Sequence, residues 1–252
     1  MTLRDSSNTE SYNQAIESLL LEFSSLSSSL KGGEILENLG LFISPKERRR
    51  EFFWYEVYKL LEGRPGLIGQ FGVRWGRELA LFDSLRSIFE PYNHSRKILG
   101  FDTFTGYTGI SETDGKASQV IEGNLSTLPN YASHLANILT LRQELSINPQ
   151  ISKFELLEGA ITDTLRPYLA SHPETIFSLI HLDFNLYHPT KYVLETAIEH
   201  VVKGSIVVFD ELCCPALPGE TVAFHEFQDK YRLKPVHMGW QKPVWPMVFQ
   251  VC

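Results

Sequence analysis

The sequence predicts an α/β fold: a doubly wound, mainly parallel, seven-stranded sheet that ends in an antiparallel hairpin, with additional N-terminal helices. Short apolar runs alternate with amphipathic helical stretches between residues 67 and 210. This alternation is the pattern of a parallel sheet covered by helices on both faces. Only Met238–Trp245 separates the last two apolar runs, which is too short for a crossover helix, so these two strands should pair antiparallel.

The composition indicates one large soluble domain with an added helical segment. The chain has 252 residues, 43% of them hydrophobic, so it can bury a core without disulfides. Its net charge of −7 argues against nucleic-acid and membrane-surface partners. No apolar stretch reaches the roughly 20 residues that cross a bilayer. The first residues lack a signal-peptide pattern and there are only three cysteines, so we expect a cytoplasmic protein.

Residues 1–62 are predicted to form an N-terminal helical cap. Apolar residues at helical spacing favour a helix over Ser11–Leu30, although a partly disordered tail fits the same serine-rich composition. A second helix is predicted over Pro45–Leu61, with Ser44 as its N-cap. Its aromatic segment, Phe52–Tyr58, offers more apolar surface than one sheet face requires, so we expect a homodimer or a larger homo-oligomer.

Residues 63–252 are predicted to form the α/β domain. The expected strands are Leu67–Gly72, Lys97–Asp102, Phe154–Glu158, Ile176–Asp183, Ser205–Asp210, Arg232–His237 and Pro246–Val251. Apolar residues share one face of two further helices, over Glu78–Phe89 and Thr190–Val202. Residues 103–153 form a long insertion with a helix near Asn130–Leu145. Insertions of this length are typically functional lids or disordered segments.

The carboxyl end of the sheet is the expected ligand site, because open parallel sheets bind ligands beyond the ends of their strands. The first strand runs into Gly72-Val-Arg-Trp-Gly76, where glycines and a helix N-terminus favour a ligand, although a tight turn explains the same residues. The spacing is not Gly-x-Gly-x-x-Gly, which disfavours a dinucleotide dehydrogenase. Asp102 ends the second strand, and its carboxylate can accept both hydroxyls of a ribose or cap a helix. Gly159, after the third strand, permits close approach of an adenine ring.

Acidic side chains collect where the fourth and fifth strands end. Alternation places His181, Asp183 and Asn185 on one side of the fourth strand, and Asp210 and Glu211 follow the fifth. Three carboxylates at neighbouring strand ends repel one another unless a cation lies between them. An all-oxygen set suits Mg²⁺, Mn²⁺ or Ca²⁺ better than Zn²⁺. Pairing of Asp183 with a lysine or with backbone N–H groups, and Asp210 as a turn cap, explains the pattern equally well.

These segments together resemble the class I S-adenosylmethionine-dependent methyltransferases, which have a Rossmann-like fold. The matching segments are QFGVRWG, GFDTFTG, EGAITDTL, HLDFNLYHPT and VVFDEL with PGE. Within the class they are most similar to the macrocin O-methyltransferase (TylF/MycF-like) family, which methylates sugar hydroxyls of natural products. The resemblance extends from about Leu39 to the C-terminus. Its specificity lies in the order of the motifs, because each motif alone is weak.

The resemblance implies a role for each matching position. The implied cofactor contacts are Phe71, Gly72 and Gly76 for the methionine part, Asp102, Thr103 and Phe104 for the ribose, and Gly159 and Ala160 for the adenine. The implied magnesium ligands are Asp183, Asp210 and Glu211, and Asp183 also lies beside the cofactor. Asn185 stands where the family has a second Asp. Asp183 or His181 is therefore the expected catalytic base.

The expected function is S-adenosylmethionine-dependent O-methylation of a small-molecule hydroxyl, on a sugar or a glycosylated natural product, assisted by a divalent metal. The insertion 103–153 is expected to cover the acceptor. Two more positions depart from the family, with Gln70 in place of an acid and Glu211 in place of an Asp. Two alternatives remain open. One is a metal-independent methyltransferase acting on a carboxylate or amine, and the other is a cofactor-binding assembly subunit without catalysis, which Asn185 favours.

Overall fold

A computed structural model describes residues 6–31, 33–238 and 246–252 of the chain. It divides into two compact units, Met1–Phe52 and Phe53–Cys252. None of the helices in the described part of the chain is both long enough and apolar enough to span a bilayer.

The first unit is helical. Helix α1 covers Ser6–Ser29 and therefore begins five residues before the predicted start at Ser11. Helix α2, Glu34–Glu37, and a 3₁₀ turn, Leu39–Phe42, follow it. The rings of Phe23 and Phe42 meet edge to face at 5.0 Å, which packs the 3₁₀ turn against α1.

Helix α3, Pro45–Lys59, contains the division between the two units. Its aromatic residues separate by helix face: Trp54 and Tyr58 are fully buried in the second unit, whereas Tyr55 is exposed. Trp54 packs on Phe82 of the following helix with ring centroids 5.0 Å apart. One face of the helix therefore buries its aromatic side chains, and the opposite face leaves Tyr55 exposed.

The second unit is built on one seven-stranded sheet. Its strands are β1 Leu67–Phe71, β2 Ile98–Asp102, β3 Phe154–Glu158, β4 Phe177–Leu182, β5 Val201–Phe209, β6 Leu233–Pro235 and β7 Met247–Val251. The spatial order is β3-β2-β1-β4-β5-β7-β6. The first five strands pair in parallel, and β7 pairs antiparallel with both β5 and β6. The predicted fold class and the predicted hairpin pairing are confirmed.

Helices cover both faces of this sheet. They are α4 Arg77–Phe89, α5 Tyr131–Glu144, α6 Ile161–Ser171, α7 Tyr187–Ala197 and α8 Gly219–Phe227. Alternate strand residues belong to different cores: Phe71 and Val207 lie in one buried cluster, and Ile68 and Val208 in the other. Strands β1 and β4 and the second half of β5 are therefore buried on both sides, which explains their largely apolar sequences.

One predicted helix is too long. The helix expected over Thr190–Val202 ends at Ala197 and is followed by a 3₁₀ turn, Ile198–His200. Val201 and Val202 instead begin β5, where Val201 pairs with Phe177. Val201 and Val202 continue the apolar spacing of the helix in the sequence. They form a strand instead, because β-branched residues favour strands and Val201 pairs with Phe177 of β4. Of the predicted hairpin connection, residues 239–245 lie outside the described residues.

Candidate active site

A cavity of about 610 Å³ opens at the carboxyl ends of β1 to β4. Its volume lies in the range of small-molecule sites. Seven of the candidate site residues named in the sequence line it: Gly72, Asp102, Thr103, Gly159, Ala160, Asp183 and Asn185. Apolar walls from Phe101, Ile161 and Phe184 complete this part of the cavity.

Asp102 is held by the backbone around it. One carboxylate oxygen accepts the N–H groups of Val73 and Arg74 at 2.6 and 2.7 Å, and the other accepts the N–H of Phe104 at 2.6 Å. The carboxylate thus fixes the β1–α4 loop while it lines the cavity. A carboxylate has about four acceptor positions, and backbone N–H groups occupy three of them here. The remaining position can accept a ribose hydroxyl, and this contact stays a prediction.

Three of the implied cofactor residues lie behind the cavity wall. Phe71 is fully buried and stacks on Phe101 at 4.9 Å, while its carbonyl oxygen accepts the N–H of Asp183 at 2.8 Å. Gly76 begins α4 with a φ of 78°. Phe104 is almost fully buried. The structure places these residues as supports of the loops that line the cavity.

Gly72 lies where the backbone after β1 passes close to the backbone after β4. Its φ is +96°, and a Cβ built there would lie 2.2 Å from the carbonyl oxygen of Asp183. Both features require glycine, because left-handed backbone is strained for other residues and the opposing atom belongs to the main chain. The close approach holds Asp183 against the first strand.

Gly72→Ala is expected to lower the free energy of unfolding by roughly 3 kcal/mol, from backbone strain plus overpacking. Gly63→Ala is the matched control, because Gly63 also has a positive φ, +70°, but faces open space. It should lose only about 1 kcal/mol. Chemical denaturation of both variants measures the difference, and equal losses would contradict the steric argument.

Two acids and a histidine converge beside the cavity. Ligand atoms of His181, Asp183 and Asp210 all lie within 4.8 Å of one another. They meet because β4 and β5 are parallel neighbours, and the N–H of Asp210 bonds to the carbonyl of Leu182 at 3.0 Å. Glu211, the third predicted ligand, follows Asp210 directly but is outside this group.

The side chain of His181 is fully buried, unlike the two carboxylates of this group. Its ring packs on Trp54 with centroids 4.4 Å apart, and its Nε2 lies 3.9 Å from Oδ1 of Asp210. Neither ring nitrogen has a hydrogen-bond partner among the described residues. Unlike Asp183, His181 does not line the cavity.

Glu220, in α8, connects the loop after β4 with the loop after β5. Its side chain is fully buried, and its two oxygens accept the N–H groups of Asn185 and Glu211, each at 3.0 Å. Burial, opposed by these two bonds, raises the pKa of Glu220 to about 8. The sequence shows only an acid at the start of a helix, which suits the helix dipole.

The long insertion supplies Tyr107, which sequence reasoning missed. The Tyr107 hydroxyl accepts a hydrogen bond from Nδ2 of Asn185 at 2.8 Å, and both residues line the cavity. Burial raises the pKa of Tyr107 to about 12, so its hydroxyl stays protonated. This contact makes the insertion part of the cavity wall, next to Asp183.

Asp114 anchors the insertion to the α/β core. It is fully buried, and its Oδ1 accepts the N–H of Tyr187 at the start of α7, at 2.5 Å. Its Oδ2 accepts the N–H and hydroxyl of Ser111. The Ser111-x-x-Asp114 spacing is a capping-box pattern, which predicts the local turn but not the contact with Tyr187.

Solved methyltransferase structures resemble this chain over nearly its whole length. Its fold matches a crystal structure of CalS11, a calicheamicin methyltransferase, with a TM-score of 0.87 and 32% identity over 98% of this chain and 94% of that chain. The chain belongs to the class I S-adenosylmethionine-dependent O-methyltransferases. An apo structure of CalS11, described as a TDP-rhamnose 3′-O-methyltransferase of calicheamicin biosynthesis, matches with 30% identity, coverage of 98% and 96%, and a TM-score of 0.80.

Other relatives of this methyltransferase are more distant. The O-methyltransferase NovP is 18% identical over 80% of this chain and 79% of that chain, with a TM-score of 0.59, and supports the fold alone. No protein-family model and no curated sequence matches. The predicted class I methyltransferase and its O-methyltransferase activity are confirmed, and the neighbours are consistent with the TylF-like resemblance. The individual roles of the site residues stay predictions.

Proposed function

We propose that this methyltransferase methylates a sugar hydroxyl, on a nucleotide sugar or a glycosylated natural product. The observation that carries the proposal is the similarity, over nearly the whole chain, to CalS11, a TDP-rhamnose 3′-O-methyltransferase. The cavity supports it, because Tyr107, Asn185 and Asp183 line one wall together. Phenol, amide and carboxylate groups at one wall suit a substrate with several hydroxyls.

The cofactor end of the cavity fits S-adenosylmethionine, which supplies the methyl group from its sulfonium. Gly72 and Gly159 let the backbone approach a ligand, and Asp102 and Thr103 offer oxygens for a ribose diol. Ala160 and Phe184 provide apolar contacts suited to an adenine ring. In the proposal these residues bind and orient the cofactor, and positioning accounts for most of the catalysis.

Asp183 is the proposed proton acceptor. It lines the cavity, whereas His181, the other candidate base, lies behind it. A carboxylate oxygen of Asp183 takes the proton of the acceptor hydroxyl as that oxygen becomes a nucleophile. Asn185 and Tyr107 hold a neighbouring hydroxyl through their amide and phenol groups, so Asn185 orients the acceptor and does not act as a base.

A divalent cation is part of the proposal. The donors at the β4 and β5 ends suit one, since Asp183 and Asp210 offer carboxylate oxygens close together. Glu211 is the third ligand that the family resemblance implies. A bound cation supplies Lewis acidity, which lowers the pKa of a hydroxyl next to it.

The first test is thermal unfolding with S-adenosylhomocysteine, with and without Mg²⁺, followed by a screen of nucleotide sugars and glycosides for methyl transfer. The proposal expects stabilisation by the cofactor product and methylation of a hydroxyl. Transfer only to carboxylates or amines would favour the metal-independent alternative. Cofactor binding without any transfer would favour an assembly subunit.

Asp102→Ala is expected to weaken S-adenosylhomocysteine binding by roughly 2–4 kcal/mol, because a charge-assisted bond to the ribose is lost together with the acceptor that fixes the β1–α4 loop. Glu158→Ala is the matched control, since Glu158 ends β3 beside Asp102 but does not line the cavity. Isothermal titration calorimetry measures both affinities, after unfolding experiments confirm that each variant is folded. Unchanged affinity in Asp102→Ala would count decisively against the ribose assignment.

The proposal includes a homodimer or larger assembly with the N-terminal helices in its interface. Several large apolar side chains of the first unit are exposed: Leu20, Leu21, Leu36 and Leu41 are 60–73% accessible. Burial of such residues favours association. Sedimentation velocity over a range of concentrations should show a species of twice the chain mass or more, and a concentration-independent monomer would remove this part of the proposal.

A further inference from the structure

We infer that His181 is a direct metal ligand, so that the cation of this methyltransferase is bound by one imidazole nitrogen and the carboxylates of Asp183 and Asp210. The inference rests on the proposed function, which includes a cation at the β4 and β5 ends. It replaces Glu211 in the ligand set and changes which metals the site favours.

The imidazole of His181 is buried without a hydrogen-bond partner in the described part of the chain, as a metal ligand would be before it binds its ion. His181 is fully inaccessible, and both of its ring nitrogens lack hydrogen-bond partners among the described residues. A buried polar group without a hydrogen-bond partner is unfavourable, because it has lost its contacts with water and gained none. The neighbouring rings of Trp54 and Phe82 pack around His181 but provide no acceptor for a ring N–H. A metal ion on one nitrogen would satisfy it.

The ligand atoms of the three side chains lie close enough together to share one ion. Nε2 of His181 lies 3.9 Å from Oδ1 of Asp210, and the ligand atoms of His181, Asp183 and Asp210 fall within 4.8 Å of one another. Octahedral bonds of about 2.1 Å separate two ligands by about 3 Å when adjacent and about 4.2 Å when opposite. The side chains therefore need to move by only a fraction of an ångström to share one ion.

Glu211 is less well placed than His181. Its backbone N–H bonds to Glu220 at 3.0 Å, and its carboxylate neighbours the Cys214 thiol, whose pKa is raised first by burial and also by Glu211. Glu211 is outside the group of converging ligand atoms. The adjacent acid pair in the sequence therefore does not act as a pair of ligands.

A nitrogen ligand alters metal preference. Carboxylates alone suit Mg²⁺, Mn²⁺ and Ca²⁺, whereas imidazole favours later transition ions such as Co²⁺ and Ni²⁺. We therefore expect Co²⁺ to bind at least tenfold more tightly than Mg²⁺, measured by how strongly each ion displaces Mn²⁺ and restores the free Mn²⁺ signal in electron paramagnetic resonance. Similar affinities for the two ions would contradict the inference.

The decisive experiment is electron spin-echo spectroscopy of the protein with Mn²⁺ alone, which detects ¹⁴N bound to the ion. We expect ¹⁴N coupling in the wild type and in Glu211→Gln, and its loss in His181→Gln. His188→Gln removes a second histidine, which lines the cavity, and should keep the coupling. It tests the assignment even if His181→Gln does not fold.

Each other outcome is informative. Three results would overturn the role of His181. They are bound Mn²⁺ without ¹⁴N coupling in the wild type, loss of the coupling in His188→Gln, and persistence of the coupling in His181→Gln. In those cases a cation site with other ligands survives, and so does the proposed function. Absence of Mn²⁺ binding at millimolar concentration overturns the inference and the metal part of the proposed function. Methyl transfer assayed in chelator then shows whether the sugar methyltransferase proposal itself stands.

Discussion

Asp183→Asn is expected to lower kcat for methyl transfer by about 10³-fold, with little change in fold stability. The substitution keeps the size of the side chain and the backbone bond from the Asp183 N–H to Phe71. It removes the charge that accepts the hydroxyl proton and one carboxylate of the converging group. Both losses act on the same step, so the effect on kcat should far exceed the effect on cofactor affinity.

The control for this variant is Asp163→Asn. Asp163 lies in the first turn of α6, exposed, next to the cavity residue Thr162. The same chemical change there should leave kcat unchanged. Steady-state kinetics on an identified acceptor measures both variants. An Asp183→Asn enzyme with more than about a tenth of wild-type kcat would contradict a role in proton transfer, because general-base catalysis contributes at least about 10²-fold.

Glu220→Ala is expected to destabilise the protein by roughly 2–5 kcal/mol. Glu220 is fully buried, and its loss leaves the N–H groups of Asn185 and Glu211 without their acceptor. The Asn185 backbone has a φ of 63°, which needs such support. Loss of Glu220 should therefore also displace Asn185 from Tyr107 and lower kcat/KM for the acceptor.

Glu226→Ala is the matched control for Glu220→Ala. Both residues belong to α8, but Glu226 is exposed and pairs with Lys191 on the surface at 2.8 Å. Surface ion pairs contribute little to stability, so the unfolding midpoint should hardly change. Urea denaturation compares the two variants. Equal stability losses would show that the buried carboxylate does not hold the two loops.

The sequence predicts the strands and the ligand edge well, because those features depend on local patterns. Continuous apolar runs mark strands buried on both faces, and the residues after parallel strands must meet at one edge. The pattern alone therefore assigns Gly72, Asp102, Asp183 and Asp210 to the same end of the sheet, which is where they lie.

The contacts that complete the site join distant positions in the chain. Tyr107 and Asn185 are 78 residues apart, Asp114 and Tyr187 are 73 apart, and Glu220 and Asn185 are 35 apart. No periodicity relates such pairs, because they depend on how the insertion and helix α8 pack on the finished sheet. The same limit explains Val201 and Val202, where tertiary pairing decided between helix and strand.

The most direct test of the proposed activity is mass spectrometry of the products formed by the wild-type enzyme from S-adenosylmethionine and a panel of TDP-sugars and glycosides. We expect a product one CH₂ unit heavier, with the new methyl group on a sugar hydroxyl oxygen. S-Adenosylhomocysteine binding without methylation of any hydroxyl, or methylation only at a carboxylate or amine, would contradict it.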